Sequence, residues 1–424
     1  MTVWLLHWVA VTAIALAAAT TPRAQDDPAI EHAKRVFDLL EQQKFDDVAK
    51  EFNAQVSTAM SAAQLADVWK ALHQQFGAFR AFIDQQVRTQ GAVTAVVLGC
   101  TFEKSELNAM VAFDGDDKIA GMRILPRPAP HQEPPAPPPS GRFTEQSVTV
   151  GSGEWTLPGT LSMPAGRVAG AVVLVHGSGP NDRDETVGAN HPFRDLAWGL
   201  ADRGIAVLRY EKRTRQYPEQ AAAIKNVTVR DETIDDAIAA GRLLRGQDRI
   251  DPKRVFLLGH SLGGTLAPRI AAEDSALAGI IIMAGSTRPL AQVARDQIAY
   301  LASLAPAGSP VDQDAELQRL LRAAPDSYWK DLNDYQPAQT AATLTIPILV
   351  LQGERDYQVT LDDLKGWRKA LDGRPNVTIK TYPALNHLFM AGEGKSTPAE
   401  YERAGHVADV VLDDIARWIE RATP

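Results

Sequence analysis

The segment best suited to chemistry is Gly259-His260-Ser261-Leu262-Gly263, a Gly-x-Ser-x-Gly motif. An apolar run at 255–258 precedes the motif, and small residues with helical spacing follow it at 262–272. A buried strand, a sharp turn and a helix in this order are typical of a nucleophile elbow, which exposes the serine hydroxyl at its tip. The flanking glycines are expected because a Cβ at either position would collide with a neighbouring strand or helix. The motif therefore predicts Ser261 as a nucleophile.

The base and the acid that a serine nucleophile requires are both present downstream. In this type of elbow the chain order is serine, then acid, then histidine. One apolar run is followed by Glu354-Arg355-Asp356, and a later run is followed by His387. We predict His387 as the base and Asp356 as the carboxylate that fixes its tautomer. Glu354 is expected to be a solvated loop residue, and His406, in a predicted helix, is the weaker candidate for the base.

A third requirement is a pair of N–H donors for the negative oxygen that develops during acyl transfer. One is expected from Leu262, the residue after the nucleophile. The other is expected from the loop after an earlier buried strand, where glycines let the backbone turn an N–H inward. We predict Ser178 as this donor with Gly177 as the alternative, and the sequence leaves the choice open. His176 and His260 adjoin these turns and are predicted to pack behind the site.

Alternating strand and helix patterns must position these groups. Apolar runs predict strands at 170–175, 205–209, 255–259, 279–283, 347–352 and 377–382. Helical patterns lie at 193–203, 229–244, 262–273, 361–371 and 398–421. This alternation predicts an α/β fold with a doubly wound, mostly parallel sheet, preceded by an antiparallel edge pair at 147–163. A helical insertion at about 286–345 predicts a lid over the strand ends.

A proline-rich segment at 126–141 divides the chain. Before it, residues 28–125 show helical periodicity and then strand-like runs, with a hairpin signal at Asp114-Gly115-Asp116, which predicts a small α+β domain. No catalytic constellation is visible there. After it, residues 142–424 form the predicted catalytic domain.

Composition limits the classes of function. The chain has 424 residues, 45% of them apolar, enough for two domains. It carries 44 basic and 52 acidic residues without a basic cluster, which argues against nucleic acid as a partner. A single cysteine, Cys100, excludes intramolecular disulfides and is expected to fill core space. His32 and His73 lie in helical patterns and are expected to be solvated or to cap helices, so no metal site is predicted.

The first residues resemble a targeting segment. Residues 3–19 form an apolar stretch followed by small residues, which predicts a signal peptide at 1–24 and export to the periplasm or beyond. The stretch is short for a membrane span, so an uncleaved anchor is the weaker alternative. No stable membrane insertion is expected after cleavage.

From about residue 145 to 424 the chain resembles bacterial α/β-hydrolases. The resemblance rests on motifs at 176–185 (HGSGPNDRDE), 259–264 (GHSLGG), 351–357 (LQGERDY) and 386–389 (NHLF). More narrowly, the chain is similar to serine hydrolases that include bacterial esterases and S33-type aminopeptidase-like or dienelactone-hydrolase-like proteins. Its N-terminal part resembles the DUF3887 domains that some members carry.

The resemblance implies a triad of Ser261, Asp356 and His387, with the oxyanion hole at Gly177–Ser178. It also implies that a basic segment, 209–213, lines the loop side of the sheet. This segment could bind a substrate carboxylate or pair with the acidic residues of the 176–185 motif, Asp182 and Asp184. Structural pairing is the preferred interpretation.

The function expected from these features is an exported serine hydrolase that cleaves a small-molecule carboxylic ester through an acyl-enzyme, without a cofactor. An aminopeptidase or amidase is an alternative, because acids of the predicted lid could hold a free α-amine. Those acids are Asp312, Asp314, Glu316 and Asp326. An acyltransferase on the same triad and a non-catalytic envelope binding protein are further alternatives. The acyl length, the alcohol and the oligomeric state remain open.

Overall fold

The structure is a computed structural model that describes residues 27–90, 93–126, 141–304 and 312–422. The described residues form two compact units, one before and one after the boundary between residues 135 and 136. The predicted signal peptide lies outside the described residues, as does most of the predicted linker. Among the helices of the described ranges, none has the length and apolar character needed to cross a bilayer.

In the small unit, helices precede an antiparallel sheet. The helices are α1 (Pro28–Glu41), α2 (Phe45–Lys50), α3 (Ala54–Ala59) and α4 (Ala62–Phe76). The strands are β1 (Phe79–Gln90), β2 (Val93–Phe102), β3 (Glu106–Phe113) and β4 (Ile119–Pro126), which pair in chain order. The apolar side chains of α1 and α4 cover one face of this sheet, and Cys100 is fully buried among them. The small α+β fold and the packing role of Cys100 are confirmed.

Two histidines lie among the described residues of this unit, and one of them differs from expectation. His32 is buried, its ring stacks on Phe113 with centroids 4.3 Å apart, and its Nε2 lies 2.5 Å from the Glu51 carboxylate. His73 pairs with Glu41 at 2.9 Å. The expectation of solvated or capping histidines was therefore wrong for His32, which stands one helical turn before buried Val36 and shares its face.

In the large unit, one sheet of eight strands forms within the described residues. The strands are β5 (Phe143–Val150), β6 (Leu157–Pro164), β7 (Gly170–Val175), β8 (Ile205–Tyr210), β9 (Val255–His260), β10 (Gly279–Met283), β11 (Ile348–Gly353) and β12 (Val377–Tyr382). They lie in the order β12-β11-β10-β9-β7-β8-β6-β5. All neighbouring pairs from β12 to β8 are parallel, and the two remaining pairs, β8 with β6 and β6 with β5, are antiparallel. The predicted α/β fold class is confirmed.

Helices connect and cover these strands. They are α5 (Pro192–Ala201), α6 (Arg213–Gln216), α7 (Pro218–Ala222), α8 (Asp235–Arg245), α9 (Leu262–Glu273), α10 (Leu290–Ser303), α11 (Gln313–Leu321), α12 (Asp326–Asp334), α13 (Pro337–Thr343), α14 (Leu361–Leu371) and α15 (Asp409–Arg421). A single π-helical turn, Arg230–Ile234, leads into α8, and short 3₁₀ turns lie at Pro252–Arg254 and Pro398–Glu402. Helices α10 to α13 form the insertion between β10 and β11.

Two apolar layers hold the sheet between its helices. Alternate residues of β7 enter opposite layers: Val172 and Leu174 pack with α5 and α15, whereas Val173 and Val175 pack with α8 and α9. Because both faces are buried, the central strands are continuous apolar runs rather than alternating ones. Each fully buried side chain of this kind stabilises the fold by about 1.5–3 kcal/mol.

The end of the chain departs from the predicted helix at 398–421. After the short turn at Pro398–Glu402 the chain is irregular until α15 begins. Two backbone N–H groups of this irregular stretch bond to side chains elsewhere: that of Gly405 to Asn190 at 2.7 Å and that of Val407 to Asp195 at 3.1 Å. His406 therefore lies in a loop with 81% of its side chain exposed.

Candidate active site

Ser261 lies at a strained turn between β9 and α9. Its φ of 52° and ψ of −115° are unusual for a non-glycine residue and cost of the order of 1–3 kcal/mol. A Cβ on Gly259 would lie 2.1 Å from the Gly263 carbonyl oxygen, and one on Gly263 would lie 2.2 Å from that of Val175. The predicted reason for both glycines is confirmed. The Ser261 N–H donates to Met283 of β10 at 2.9 Å, which ties the turn to the sheet.

The loop after β7 lies directly against this turn. A Cβ on Gly177 would be 3.1 Å from the Cβ of Ser261. The N–H of Gly177 donates to Glu185 Oε1 at 2.5 Å, and its carbonyl accepts from Lys212 Nζ at 2.8 Å. Because this N–H is already engaged, the geometry favours Ser178, the next residue and an exposed one, as the second oxyanion donor.

Leu262 is the first residue of α9. The first N–H groups of a helix have no acceptor within the helix, so its N–H can face a ligand. The positive end of the helix dipole reinforces a developing negative charge at this place. The elbow and the loop after β7 therefore supply candidate donors on two sides of Ser261.

Asp356 and His387 form a buried pair at the same edge of the sheet. His387 Nδ1 donates to Asp356 Oδ2 at 2.6 Å. The other carboxylate oxygen accepts the N–H groups of Gln358 at 2.7 Å and Val359 at 3.0 Å. With its proton on Nδ1, neutral His387 carries a lone pair on Nε2. Glu354 is exposed two residues away from Asp356.

His260 connects the nucleophile turn to the loop of His387. The two imidazole rings have centroids 4.7 Å apart, and His260 Nε2 donates to the main-chain oxygen of His387 at 3.0 Å. The loop of His387 is fixed from within, because Asn386 Oδ1 accepts the N–H groups of Leu388 and Met390 at 3.0 and 3.1 Å. The structure thus brings Ser261, Asp356 and His387 to one edge, whereas His406 binds Asp195 at the surface.

His176 has no direct role in this arrangement. It is buried between Phe193 and Tyr210, with ring centroids 5.1 and 5.3 Å away. Burial disfavours the charged imidazolium and lowers the pKa of His176 to about 4. The residue therefore packs as a neutral ring, as the sequence indicated.

The basic segment 209–213 is paired internally. Arg209 is fully buried and donates to Asp184 at 2.7 Å and to Glu145 at 2.6 Å. The preferred pairing is therefore confirmed for Asp184. Asp182 has a different role, because its Oδ1 accepts the N–H groups of Asp184 and Thr186 within the loop.

The helical insertion rests on the loop that carries Asp356. Tyr300 of α10 packs against Tyr357 with ring centroids 5.2 Å apart, and Gln297 Nε2 donates to the Gln358 carbonyl at 3.0 Å. These contacts join the insertion to the candidate site. In the part of the chain that the structure describes, no group of three His, Cys, Asp or Glu residues is placed to hold a metal ion.

Sequence reasoning gave no role to Glu185, whose carboxylate contacts both the loop after β7 and His260. The signal available was its position in the HGSGPNDRDE motif, where an acidic side chain follows a buried strand. Its partner His260 stands 75 positions later in the chain, so only the fold shows the contact.

The parallel sheet between two helical layers, with a strand–turn–helix elbow at its carboxyl edge, defines an enzyme of the α/β-hydrolase class. The chain is 39% identical over 391 residues to esterase EstD of Thermotoga maritima. The aligned region covers 90% of this chain and 92% of that protein. It belongs to the family of esterase EstD and is an ester hydrolase of that family.

Two sequence profiles match separate parts of the chain. The profile of a protein family of unknown function, DUF3887, matches residues 33–122, and that of the prolyl oligopeptidase family matches residues 200–406. The resemblances to α/β-hydrolases and to DUF3887 are confirmed. The peptidase-type family that matches is prolyl oligopeptidase, where the sequence motifs had indicated S33-type proteins.

Solved structures of similar fold include an esterase of Pyrococcus furiosus and a putative dienelactone hydrolase of Klebsiella pneumoniae. The first is 15% identical, covers 70% of this chain and 97% of its own, and has a TM-score of 0.47. The second is 17% identical, covers 66% of this chain and 99% of its own, and has a TM-score of 0.41.

Proposed function

We propose that the protein hydrolyses carboxylic esters with Ser261, His387 and Asp356 as catalytic triad. The observation that carries the proposal is the 2.6 Å contact between His387 and Asp356 at the edge where the Ser261 elbow lies. His387 Nε2 takes the Ser261 Oγ proton as Oγ attacks the ester carbonyl. The N–H groups of Leu262 and Ser178 hold the negative oxygen.

The second half of the reaction reverses the proton transfers. His387 gives its proton to the leaving alcohol as the carbon–oxygen bond breaks, which leaves an acyl group on Ser261. His387 then takes a proton from water, the hydroxide oxygen attacks the acyl carbon, and the Ser261 oxygen recovers the proton as the acid leaves. Asp356 stabilises the charged imidazole throughout and does not itself take a proton.

The contacts of two of the insertion's acids, Asp312 and Glu316, favour an ester over a free amino terminus as substrate. Asp312 accepts the N–H of Ala315 at 2.9 Å as a helix cap, and Glu316 pairs with Arg319 at 2.8 Å. Carboxylates engaged on a helix surface in this way have ordinary structural roles. We therefore assign them no part in holding an α-amine.

We further propose that residues 1–24 direct export and that 28–125 and 142–424 are separate domains, with 286–345 as the lid. The apolar stretch at 3–19 supports export, and the two compact units support the division. The mass of the mature amino terminus, isolated from the periplasm or the medium, tests the first point. A start at Met1 in that fraction would contradict it.

The test of the triad combines labelling with a substrate panel. A fluorophosphonate probe is expected to label the wild type and Ser275→Ala, whose serine is exposed at the far end of α9, but not Ser261→Ala. p-Nitrophenyl esters of graded acyl length are expected to be hydrolysed much faster than aminoacyl-anilides. Faster cleavage of the anilides would show that the protein is a peptidase. Product formation only in the presence of an added alcohol would show that it is an acyltransferase. Labelling of Ser261→Ala equal to that of the wild type would refute the proposed nucleophile.

A further inference from the structure

A buried carboxylate, Glu185, joins two parts of the candidate site. Its Oε1 accepts the N–H of Gly177 at 2.5 Å, and its Oε2 lies 2.8 Å from His260 Nδ1. Glu185 is 3% exposed and His260 is 4% exposed. The backbone of Glu185 has a φ of 51°, a left-handed conformation that costs a non-glycine residue free energy. The chain therefore tolerates local strain to direct this side chain inward.

With Glu185 ionised, both ring nitrogens of His260 face acceptors, so each carries a proton. Its Nε2 faces the main-chain oxygen of His387, which can only accept. Burial alone would lower the pKa of His260, but the charge and hydrogen bond of Glu185 outweigh it and raise that pKa. Burial alone would raise the pKa of Glu185, but His260 and the N–H of Gly177 hold it below its usual range. The two side chains form a buried ion pair.

This pair reaches three backbone segments that the proposed reaction uses. Gly177 precedes the proposed donor Ser178, His260 precedes the nucleophile, and the His387 main chain carries the base. The three segments lie at the ends of three different strands, β7, β9 and β12. Main-chain pairing sets the register of β7 and β9 up to Val175 and Gly259, whereas the loops beyond the strand ends are joined by the side chains of this pair. A shift of about 1 Å between reacting groups can lower a rate 10²-fold.

We propose that Glu185, acting through His260, is the positioning residue that sets the distances between the oxyanion loop, the nucleophile and the base. The inference rests on the proposed triad, and Glu185 itself touches no reacting atom. Its role is to place three segments, not to supply charge to the reaction. Breaking this bridge lowers kcat and leaves KM nearly unchanged, because substrate binding does not use it.

Three substitutions at one position separate the bridge from its charge. In Glu185→Gln the amide oxygen can accept from Gly177, and the amide NH₂ can donate to a neutral His260 that still donates to His387. Every hydrogen bond is kept, so kcat is expected within about 10-fold of the wild type. Glu185→Asp keeps the charge but is one methylene too short to reach both partners, and Glu185→Ala removes both bonds. Both are expected to lose about 100-fold in kcat.

The matched control is Asp274→Ala. Asp274 is another buried carboxylate with an arginine partner, Arg245 at 2.8 Å, but it lies at the far end of α9, about 20 Å from Ser261. It is expected to lower the melting temperature and to leave kcat within 3-fold. Steady-state kinetics on p-nitrophenyl esters give kcat for each variant, and thermal unfolding gives its melting temperature. Should Glu185→Ala fail to fold, Glu185→Asp decides the question.

The outcomes are distinct. Retained kcat in Glu185→Gln with a loss in Glu185→Asp supports the bridge. A kcat of Glu185→Gln as low as that of Glu185→Asp, an unaffected Glu185→Asp, or a change confined to KM overturns it. If Ser261→Ala is labelled by the fluorophosphonate as fast as the wild type, the proposed triad fails instead, whatever Glu185 shows.

Discussion

Asp356→Asn is the substitution whose effect the structure defines most sharply. One carboxylate oxygen of Asp356 accepts two backbone N–H groups, from Gln358 and Val359, and the other faces His387 Nδ1. The amide of asparagine must place its oxygen toward the two N–H groups, so its NH₂ faces His387. Nδ1 then has to accept, and the ring proton moves to Nε2. The base has lost its lone pair on the side of the nucleophile.

The size of the effect follows from what would restore the active tautomer. Flipping the amide leaves two buried N–H groups facing an NH₂, at about 1–3 kcal/mol for each unsatisfied donor. The total of about 2–6 kcal/mol corresponds to roughly 30-fold to 10⁴-fold in rate. Loss of the negative charge beside the imidazolium adds to this. We expect kcat for p-nitrophenyl acetate to fall about 10³-fold, with little change in melting temperature.

The control for this prediction is Glu354→Gln, which makes the same chemical change two residues earlier on an exposed side chain. It is expected to leave kcat within 2-fold of the wild type. Burst-phase kinetics would show whether acylation is the slowed step. An Asp356→Asn enzyme within 10-fold of wild-type kcat, or an equal loss in Glu354→Gln, would refute the tautomer argument.

Three further predictions concern the fold and its pH dependence. Gly263→Ala places a Cβ 2.2 Å from the Val175 carbonyl oxygen, so the free energy of unfolding measured in urea should fall by at least about 2–3 kcal/mol. An unchanged urea midpoint would contradict this close approach. His176 has a folded pKa of about 4, below its unfolded value near 6.5, so the unfolded state binds more protons between these values and stability falls as pH decreases through that window. In urea titrations, the free energy of unfolding of the wild type should fall between pH 8 and pH 5, and about 2 kcal/mol of this fall should come from His176. The variant His176→Asn should lack this part of the fall, whereas the control His406→Asn, at an exposed position, should keep it. Residues 142–424 expressed alone should keep kcat/KM for p-nitrophenyl acetate within about 3-fold, since the catalytic candidates all lie there, and inactivity of a folded fragment would contradict this.

The parallel strands could be predicted almost residue by residue. The runs at 170–175, 279–283 and 377–382 match β7, β10 and β12 without error. A central parallel strand is buried on both faces, so it is a continuous apolar run bounded by turn residues, a strong local signal. The triad candidates could be recognised for the same reason, because each of them follows such a strand. Their order along the chain, serine, then acid, then histidine, is the order expected with an elbow of this type.

The parts that could not be predicted depend on tertiary hydrogen bonds. The segment 403–408 has helical spacing, but the N–H groups of Gly405 and Val407 bond to Asn190 and Asp195, more than 200 positions earlier, and the segment stays irregular. The contact of Glu185 with the Gly177 N–H, which bears on the choice between Gly177 and Ser178, is likewise a matter of loop geometry. Neither spacing nor periodicity contains that information.

The basic segment 209–213 shows how a loop without regular structure can be held accurately. Arg209 binds Asp184, and Lys212 donates to the carbonyl of Gly177. Two buried cationic side chains therefore hydrogen-bond to the loop that carries the proposed oxyanion donor. Removing one partner of a buried pair costs about 3–5 kcal/mol, because the remaining charge is left unpaired. Arg209 is fully buried behind this pairing, so a substrate carboxylate could reach it only if the loop that is needed for hydrolysis moved. The geometry therefore argues against a substrate site at Arg209, and the helical insertion, which contacts the loop of Asp356 through Tyr300 and Gln297, is a better candidate surface for substrate choice.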